Sequence, residues 1–238
     1  MQKEKLISFI NRYYLAGATD SVKLSIKDNQ LMCSFISTDR NVIGNVVLDE
    51  VEIEDADLGV YNTGQLLKLL TVLDSNIEIK IVKSDNKCFL LHLIDSNTSI
   101  TYILSDLSVI EPAPKIKKLP DFNCTIEISK EFSDKFLKAK SGMPEADNFA
   151  VISNDTGTEI VLNYSTVNTN RIKFQVNSTS TSSLKATCFS SNIFKEILSS
   201  NKTAESGIFE VSDQGLAKVT FTGKGFTSTY YLVQLSVQ

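Results

Sequence analysis

Glu111-Pro112-Ala113-Pro114-Lys115-Ile116-Lys117-Lys118-Leu119-Pro120 holds three of the four prolines in this chain of 238 residues. Proline lacks a backbone donor and fixes φ, so the decapeptide can neither carry a helix nor sit inside a sheet. It reads as a connector, and the segments on its two sides share one pattern. Helical periodicity puts apolar residues on a stripe in four places: Leu6, Ile10 and Tyr13 within 2–15, and Leu66, Leu69, Leu70 and Leu73 within 63–74. Beyond the connector the same spacing returns with Phe132, Phe136 and Ala139 in 129–142, and with Ile193, Phe194, Ile197 and Leu198 in 191–200. Ser129 is the N-cap candidate of the third segment, and Ser190 or Ser191 that of the fourth.

Alternating or β-branched runs fill the rest. They cover 21–27, 30–36, 41–48, 77–82, 86–94 and 98–104 before the connector, with turns at Asp28-Asn29 and Asp85-Asn86. After it they cover 123–128, 148–153, 158–164, 170–177, 184–189, 207–212, 216–222 and 226–235, with turns at 155–157, 213–215 and 223–225. The order helix, strands, helix, three strands therefore occurs twice. Helix starts 2 and 129 differ by 127 residues, helix starts 63 and 191 by 128, and strand starts 77 and 207 by 130. The halves share little residue identity, so what repeats is the architecture. The expected fold is α+β, with tandem domains at 1–110 and 121–238 joined by 111–120.

Composition narrows the function by exclusion. With 42% apolar and 22% charged residues the chain can bury a sizeable core. No apolar stretch approaches the roughly 18 residues of a membrane span, and Met1-Gln2-Lys3-Glu4-Lys5 does not open a secretory signal. A soluble, cytoplasmic protein is expected, in the host cytoplasm if viral. The Asn-x-Ser/Thr sequons, at Asn97, Asn123, Asn154, Asn163, Asn177 and Asn201, then reflect only Asn, Ser and Thr abundance. Cys33, Cys88, Cys124 and Cys188 are widely spaced, which suits buried reduced thiols rather than zinc.

His92, the one histidine, lies in the apolar run Phe89-Leu90-Leu91-His92-Leu93-Ile94 and reads as a core or edge-strand imidazole. Two-histidine metal sites and imidazole-dependent triads therefore lack their parts. Gly223-Lys224-Gly225 lacks the upstream glycine and following Ser/Thr of a phosphate-binding loop and suits a hairpin turn. The acidic run Asp49, Glu50, Glu52, Glu54, Asp55 and Asp57 alternates with Val51 and Ile53, as in a solvated strand or loop. Nothing there sets one carboxylate apart as an acid or base. No catalytic residue, metal site or cofactor is expected.

Positive charge is concentrated in the helices of an acidic protein. Taken as 1–14, 62–75, 129–143 and 191–202, they carry ten basic and five acidic residues, against a net charge of −4 for the whole chain. Lys5 and Arg12, and likewise Lys195 and Lys202, stand seven apart and return to one helical face. Such a face is either ordinary solvated lysine or a surface for a polyanion that touches phosphates without reading bases.

Several segments resemble the sliding clamps of DNA polymerases, in the form found in tailed bacteriophages and related to proliferating cell nuclear antigen. They are Leu58-Gly59-Val60-Tyr61-Asn62-Thr63-Gly64-Gln65-Leu66-Leu67-Lys68-Leu69-Leu70, the proline-rich connector, Cys124-Thr125-Ile126-Glu127-Ile128 and the ending Tyr230-Tyr231-Leu232-Val233. The resemblance spans essentially the whole chain and is one of pattern and order, without a strict signature motif. It implies a non-enzymatic processivity factor: a ring with antiparallel sheets outside and two helices per domain lining the hole. Twelve helices about 10 Å apart leave a hole of roughly 27 Å, which clears a duplex about 20 Å wide; eight leave only about 14 Å. A two-domain chain is thus expected to form a homotrimer around double-stranded DNA, bound without sequence preference.

The resemblance implies Lys3, Lys5, Arg12, Lys68, Lys130, Lys135, Lys138, Lys140, Lys195 and Lys202 as DNA-facing candidates, some of which must point elsewhere. The acidic run belongs on the outside, where it disfavours DNA on the wrong surface. Subunits would meet through strand edges carrying Ile100, Tyr102 and Leu104 on one side and Ile172, Phe174 and Val176 on the other. Partner proteins would dock a short apolar motif on Ile36, Val42, Ile43, Ile110, Ile116, Leu119, Tyr231 and Val233. Here Val233-Gln234 stands where the eukaryotic form has Ala-Pro, so the rim departs from the family pattern. Expected partners are a DNA polymerase and an ATP-driven clamp loader, with late-transcription factors as a further class. The alternative is a viral structural or assembly β-domain protein whose duplication serves assembly alone.

Overall fold

A computed structural model describes residues 1–85 and 87–236, so Asn86, half of the expected Asp85-Asn86 turn, and the last two residues lie outside it. The chain divides into two compact units, Met1–Pro114 with Gly225–Ser228, and Lys115–Lys224 with Thr229–Gln238. Residues 111–122 of the connector region form no regular element.

In the first unit α1 (Lys3–Tyr14) leads into the antiparallel strands β1 (Val22–Lys27), β2 (Gln30–Ile36), β3 (Val42–Leu48) and β4 (Ala56–Val60). These pair in the order β4-β1-β2-β3. Then follow α2 (Thr63–Leu70) and a second sheet, β5-β6-β7, of Glu78–Ser84, Lys87–Ile94 and Ser99–Ile103. Both helices pack against each other, and α1 lies on β3. Leu6, Phe9, Ile10 and Tyr13 of α1 and Leu66 and Leu70 of α2 are buried there, so the stripe read from spacing is the stripe that meets the sheet.

The second unit begins with β8 (Cys124–Glu127) and α3 (Lys130–Gly142), followed by β9 (Asn148–Asn154), β10 (Gly157–Leu162), β11 (Ile172–Val176), β12 (Ser178–Ser180) and β13 (Leu184–Ser190). After α4 (Ser191–Ser200) come β14 (Ser206–Val211), β15 (Leu216–Gly223) and β16 (Phe226–Val233). The order β13-β9-β10-β11 repeats β4-β1-β2-β3, and β14-β15-β16 repeats β5-β6-β7. Helix starts differ by 127 and 128 residues, and the starts of β5 and β14 by 128. Ser129 Oγ accepts the Phe132 N–H (3.1 Å) and Ser190 Oγ the Ile193 N–H (3.3 Å), which caps both helices of this unit. Such caps stabilise a helix by about 1 kcal/mol each.

The structure departs from the sequence reading at the end of α2 and at residues 56–60, while α4 keeps its expected span of 191–200. Helix α2 stops at Leu70 instead of running to 74, because Thr71 turns its hydroxyl onto the Lys68 carbonyl (2.7 Å). The following turn exposes Val72 and tucks Leu73 into the core, which satisfies a leucine that had looked helical. Helix α4 ends at Ser200, where the buried Asn201 amide donates to the Ile197 carbonyl and the Tyr230 hydroxyl, both at 2.9 Å. Residues 56–60, partly counted with the acidic run, form the edge strand β4. There Asp57 is tolerated because the Lys23 ammonium sits 2.7 Å away across β1, with Ser25 donating to its other oxygen.

Cys33, Cys124 and Cys188 are buried and Cys88 is half-buried. Burial pushes the Cys33 thiol up, and the Cys188 thiol up to about 11, so neither forms thiolate near neutrality. An aromatic disulfide reagent is expected to titrate Cys88 alone in the folded protein and all four thiols after denaturation. Fast reaction of Cys33 or Cys188 in the native state would contradict this core. His92 lies half-buried on β6, opposite Thr101, with its Nδ1 3.2 Å from the threonine hydroxyl.

Candidate nucleic-acid interface

The apolar stripes consume one face of each helix and leave the other to solvent. On the observed spans the four helices carry nine basic and four acidic residues. Lys5 is exposed on α1, Lys68 on α2, Lys130, Lys135 and Lys138 on α3, and Lys195 on α4, with Lys202 exposed two residues beyond it. Lys195 is ion-paired with its neighbour Glu196 (2.8 Å), and the Lys135 ammonium lies 5.2 Å from the Phe174 ring. Lys130 and Lys202 line one groove of about 650 Å³ between α3, α4 and β14, floored by Leu137, Leu198 and Phe221.

Three of the ten expected DNA-facing cations are engaged internally. Arg12 is only 3% exposed, and its guanidinium carbon stacks 3.5 Å from the centre of the Phe226 ring. Lys140 is 5% exposed and donates to the carbonyls of Pro144 (2.6 Å) and Ala146 (2.9 Å). Burial pushes its ammonium pKa down, and the two carbonyls replace the lost water. Lys3, half-buried, donates to the Leu73 carbonyl. Heptad spacing had placed Arg12 with Lys5, but residue 12 also adjoins the buried Tyr13. A long cationic stem there can lie inward against an aromatic ring.

The other expected sites are scattered in burial. Ile36 and Ile43 are cross-strand partners on β2 and β3 and are both half-buried. Val42 and Ile110 are instead buried in the first unit and offer no surface to a partner; Val42 follows the inward alternation of β3, and Ile110 turns inward directly after the exposed turn at Leu107–Val109. Ile116, Leu119 and Val233 are exposed and Tyr231 half-buried, all in the second unit. Ile36 lines a cavity of about 420 Å³ within the first unit, whose rim holds the exposed Tyr61 and Val109 and the Arg40–Glu111 ion pair (3.0 Å). Sequence reading did not assign these rim residues to the partner site, although Tyr61 lies within the quoted run from Leu58 to Leu70.

At the strand edges, Tyr102, Leu104 and Phe174 are buried within their own units, while Ile100, Ile172 and Val176 are half-buried. Tyr102 is held by its hydroxyl, which donates to the Asn62 carbonyl at 3.0 Å. The backbones of β7 and β11 are nevertheless sheet edges, each the terminal strand of its sheet. Ile103 on β7 is 77% exposed.

This duplicated arrangement of a helix pair on paired sheets matches solved structures along nearly its entire length. Proliferating cellular nuclear antigen from Entamoeba histolytica superimposes with a TM-score of 0.76 at 14% identity, over 99% of this chain and 97% of that one. The fold is that of a sliding clamp. PCNA from A. fulgidus, in a structure with the C-terminal region of FEN-1 bound, gives 0.77 at 14% identity over 100% and 98% of the two chains. The PCNA2–PCNA3 complex of Sulfolobus tokodaii gives 0.74 at 14% over 98% and 97%. No protein-family profile matches the sequence, and no curated protein matches it. At 14% identity the likeness is one of fold. No helix among the described residues is long and apolar enough to cross a membrane. Among those residues no group of three or more His, Cys, Asp or Glu side chains is placed to hold a metal ion.

Proposed function

We propose that this chain is a DNA polymerase processivity factor, three copies of which close into a ring around duplex DNA. The observation that carries the reading is the duplicated clamp fold with solvent-facing lysines on or beside all four helices of an otherwise acidic chain. Lys5, Lys68, Lys130, Lys135, Lys138, Lys195 and Lys202 are the groups offered to phosphates. Contacts of this kind position a duplex without favouring any base, which is what sliding requires. The protein performs no chemistry in this reading; it holds a polymerase by topology.

Closure of the ring is assigned to the two edges, β7 of one copy pairing with β11 of the next. An unpaired edge is an open template for another strand, and head-to-tail pairing of two different edges generates a ring when the rotation closes. A polymerase and an ATP-driven loader are the partners this role demands, with the exposed connector residues Ile116 and Leu119 and strand residue Val233 as contact points. Light scattering is expected to give a particle of about 79 kDa, three times the 26.3 kDa chain. Loaded rings are expected to stay on circular duplex DNA and run off linear DNA. A monomer at all concentrations, or equal loss from circles and linear ends, would remove the reading.

A further inference from the structure

In the second unit the strands β14-β15-β16 carry a further strand, β8, on the outer side of β14, where Ile126 lies opposite Phe209 and Cys124 opposite Val211. All four of these side chains are fully buried. The repeat of this sheet in the first unit, β5-β6-β7, has no such strand among the described residues, and β5 is terminal in it.

The residues just before α3 and α1 set the two edges in register. The Ile128 N–H donates to the Gly207 carbonyl (2.8 Å); the Met1 ammonium donates to the Ile77 carbonyl (2.8 Å), and the Ile77 N–H donates back to the Met1 carbonyl (3.0 Å). Ile79 and Ile81 thus hold the places of Phe209 and Val211. In an antiparallel ladder residues two apart direct N–H and C=O to the same side, so those of Ile79 and Ile81 point outward as those of Ile77 do, while Glu78, Lys80 and Val82 turn theirs to β6. On that outer side neither Ile79 nor Ile81 has a backbone hydrogen bond among the described residues. Their side chains share the inward face of the buried Ile77 but are only half-buried, unlike Phe209 and Val211. Pairing and ion-pair contacts to β5 lie at its ends: Met1 and Gln2 meet Ile77 and Asn76, and Glu54 meets Lys83 (3.0 Å) beyond the bulge that follows Val82.

Two observations select the occupant. Charge on the strand is balanced, with Lys80 3.3 Å from Glu78 and Lys83 3.0 Å from Glu54, so a charged ligand is not favoured. A second copy of β5 fits poorly. Pairing Ile79 with Ile81 sets Lys80 opposite Lys80, pairing Ile79 with itself brings Ile81 to the place Met1 holds, and pairing Ile81 with itself runs into the bulge after Val82. We propose that the outer edge of β5 binds an extended segment of another protein, added antiparallel as β8 is added to β14. Apolar side chains of that segment lie opposite Ile79 and Ile81, and uncharged polar ones opposite Glu78 and Lys80. The added strand supplies what β8 gives β14: backbone partners for two residues and apolar cover for their side chains. The inference depends on neither ring closure nor DNA binding, because every group it uses lies in the first unit of one chain.

The probe is the capped peptide Gly-Ser-Val-Thr-Ile-Thr, which keeps the alternation of β8 without its charge or thiol. Its control is the same peptide N-methylated at valine and isoleucine, which keeps the apolar groups and removes the two donors that a strand on β5 needs. Binding is followed by fluorescence anisotropy and by amide shifts in the isotope-labelled full chain. The plain peptide is expected to bind and to shift the Ile79 and Ile81 amides, and the methylated one is expected not to bind. Ile81→Pro removes one outward donor and no bond to β6, a change that strand edges accept, and is expected to weaken the plain peptide about tenfold. If that variant does not fold, the two peptides on the unchanged protein decide the matter. Equal binding of both peptides, unchanged affinity in a folded Ile81→Pro chain, shifts confined to residues outside β5 and its neighbours, or no binding of the plain peptide would each overturn the inference. Peptide affinity that falls as protein concentration rises would give the edge to a second copy and overturn it as well.

Discussion

Reversing Lys68, Lys130, Lys138 and Lys202 to Glu is expected to abolish the salt-sensitive affinity of the ring for duplex DNA while leaving the trimer assembled. These four are exposed and form no ion pair among the described residues, unlike Lys195, which Glu196 already neutralises. If the four cations of one subunit meet phosphates together, log affinity should fall with log salt at a slope of about −4. Between about 50 and 200 mM salt that is roughly a 250-fold loss for the unmodified ring. The variant should show no measurable binding at either concentration, because each new carboxylate repels the backbone its lysine attracted. Anisotropy of a labelled duplex reads the affinity, and light scattering at the same concentrations reads assembly. Topology alone can keep a ring on a circle once it is there, so equilibrium binding is the stricter readout. A variant that binds like the parent would show that the basic faces do not meet DNA.

The same helices show what the sequence could and could not reveal. Spacing located all four, because an amphipathic stripe is a local property: Ile193, Phe194, Ile197 and Leu198 are buried where period 3.6 put them. The duplication was equally legible, since strand order follows from counting runs and turns. Strand β4 was obscured because Asp55 and Asp57 resemble solvated loop residues, and only the Lys23 partner on β1 makes that alternation compatible with a sheet. The fates of Arg12 and Lys140 were not local at all. Phe226 is more than two hundred residues from Arg12, and the carbonyls that hold Lys140 become acceptors only once the loop at 143–147 folds back. Charge counted along a helix therefore overstates the charge that helix presents. Exposed apolar groups such as Leu107 carry no periodic signal, and their meeting with Phe89 in one groove is visible only in three dimensions.

Phe194→Ala is expected to be the most destabilising single substitution among the α3 and α4 residues. Its ring lies 4.8 Å from that of Phe136 and 4.9 Å from those of Phe149 and Phe209, with Phe132 at 6.3 Å. It therefore joins α4 to α3, to β9 and to β14, and it is fully buried. Truncation removes the transfer energy of a phenyl group and leaves a cavity whose walls are themselves aromatic and slow to collapse, a cost of about 3–5 kcal/mol. Phe194→Leu, which refills most of that volume, should cost under about 1.5 kcal/mol. Because two units need not unfold as one, local stability is the proper measure: amide exchange at Phe149 and Phe209 should accelerate in the alanine variant by the same free energy, while Leu24 and Phe35 in the first unit keep their protection. The consequence reaches the candidate interface, since Lys130 and Lys202 are positioned by the α3–α4 packing that Phe194 anchors. Alanine at 194 should therefore also weaken duplex binding without removing a charge, and leucine should restore it. Loss of stability with duplex affinity intact would mean that the basic faces do not depend on this aromatic cluster for their placement.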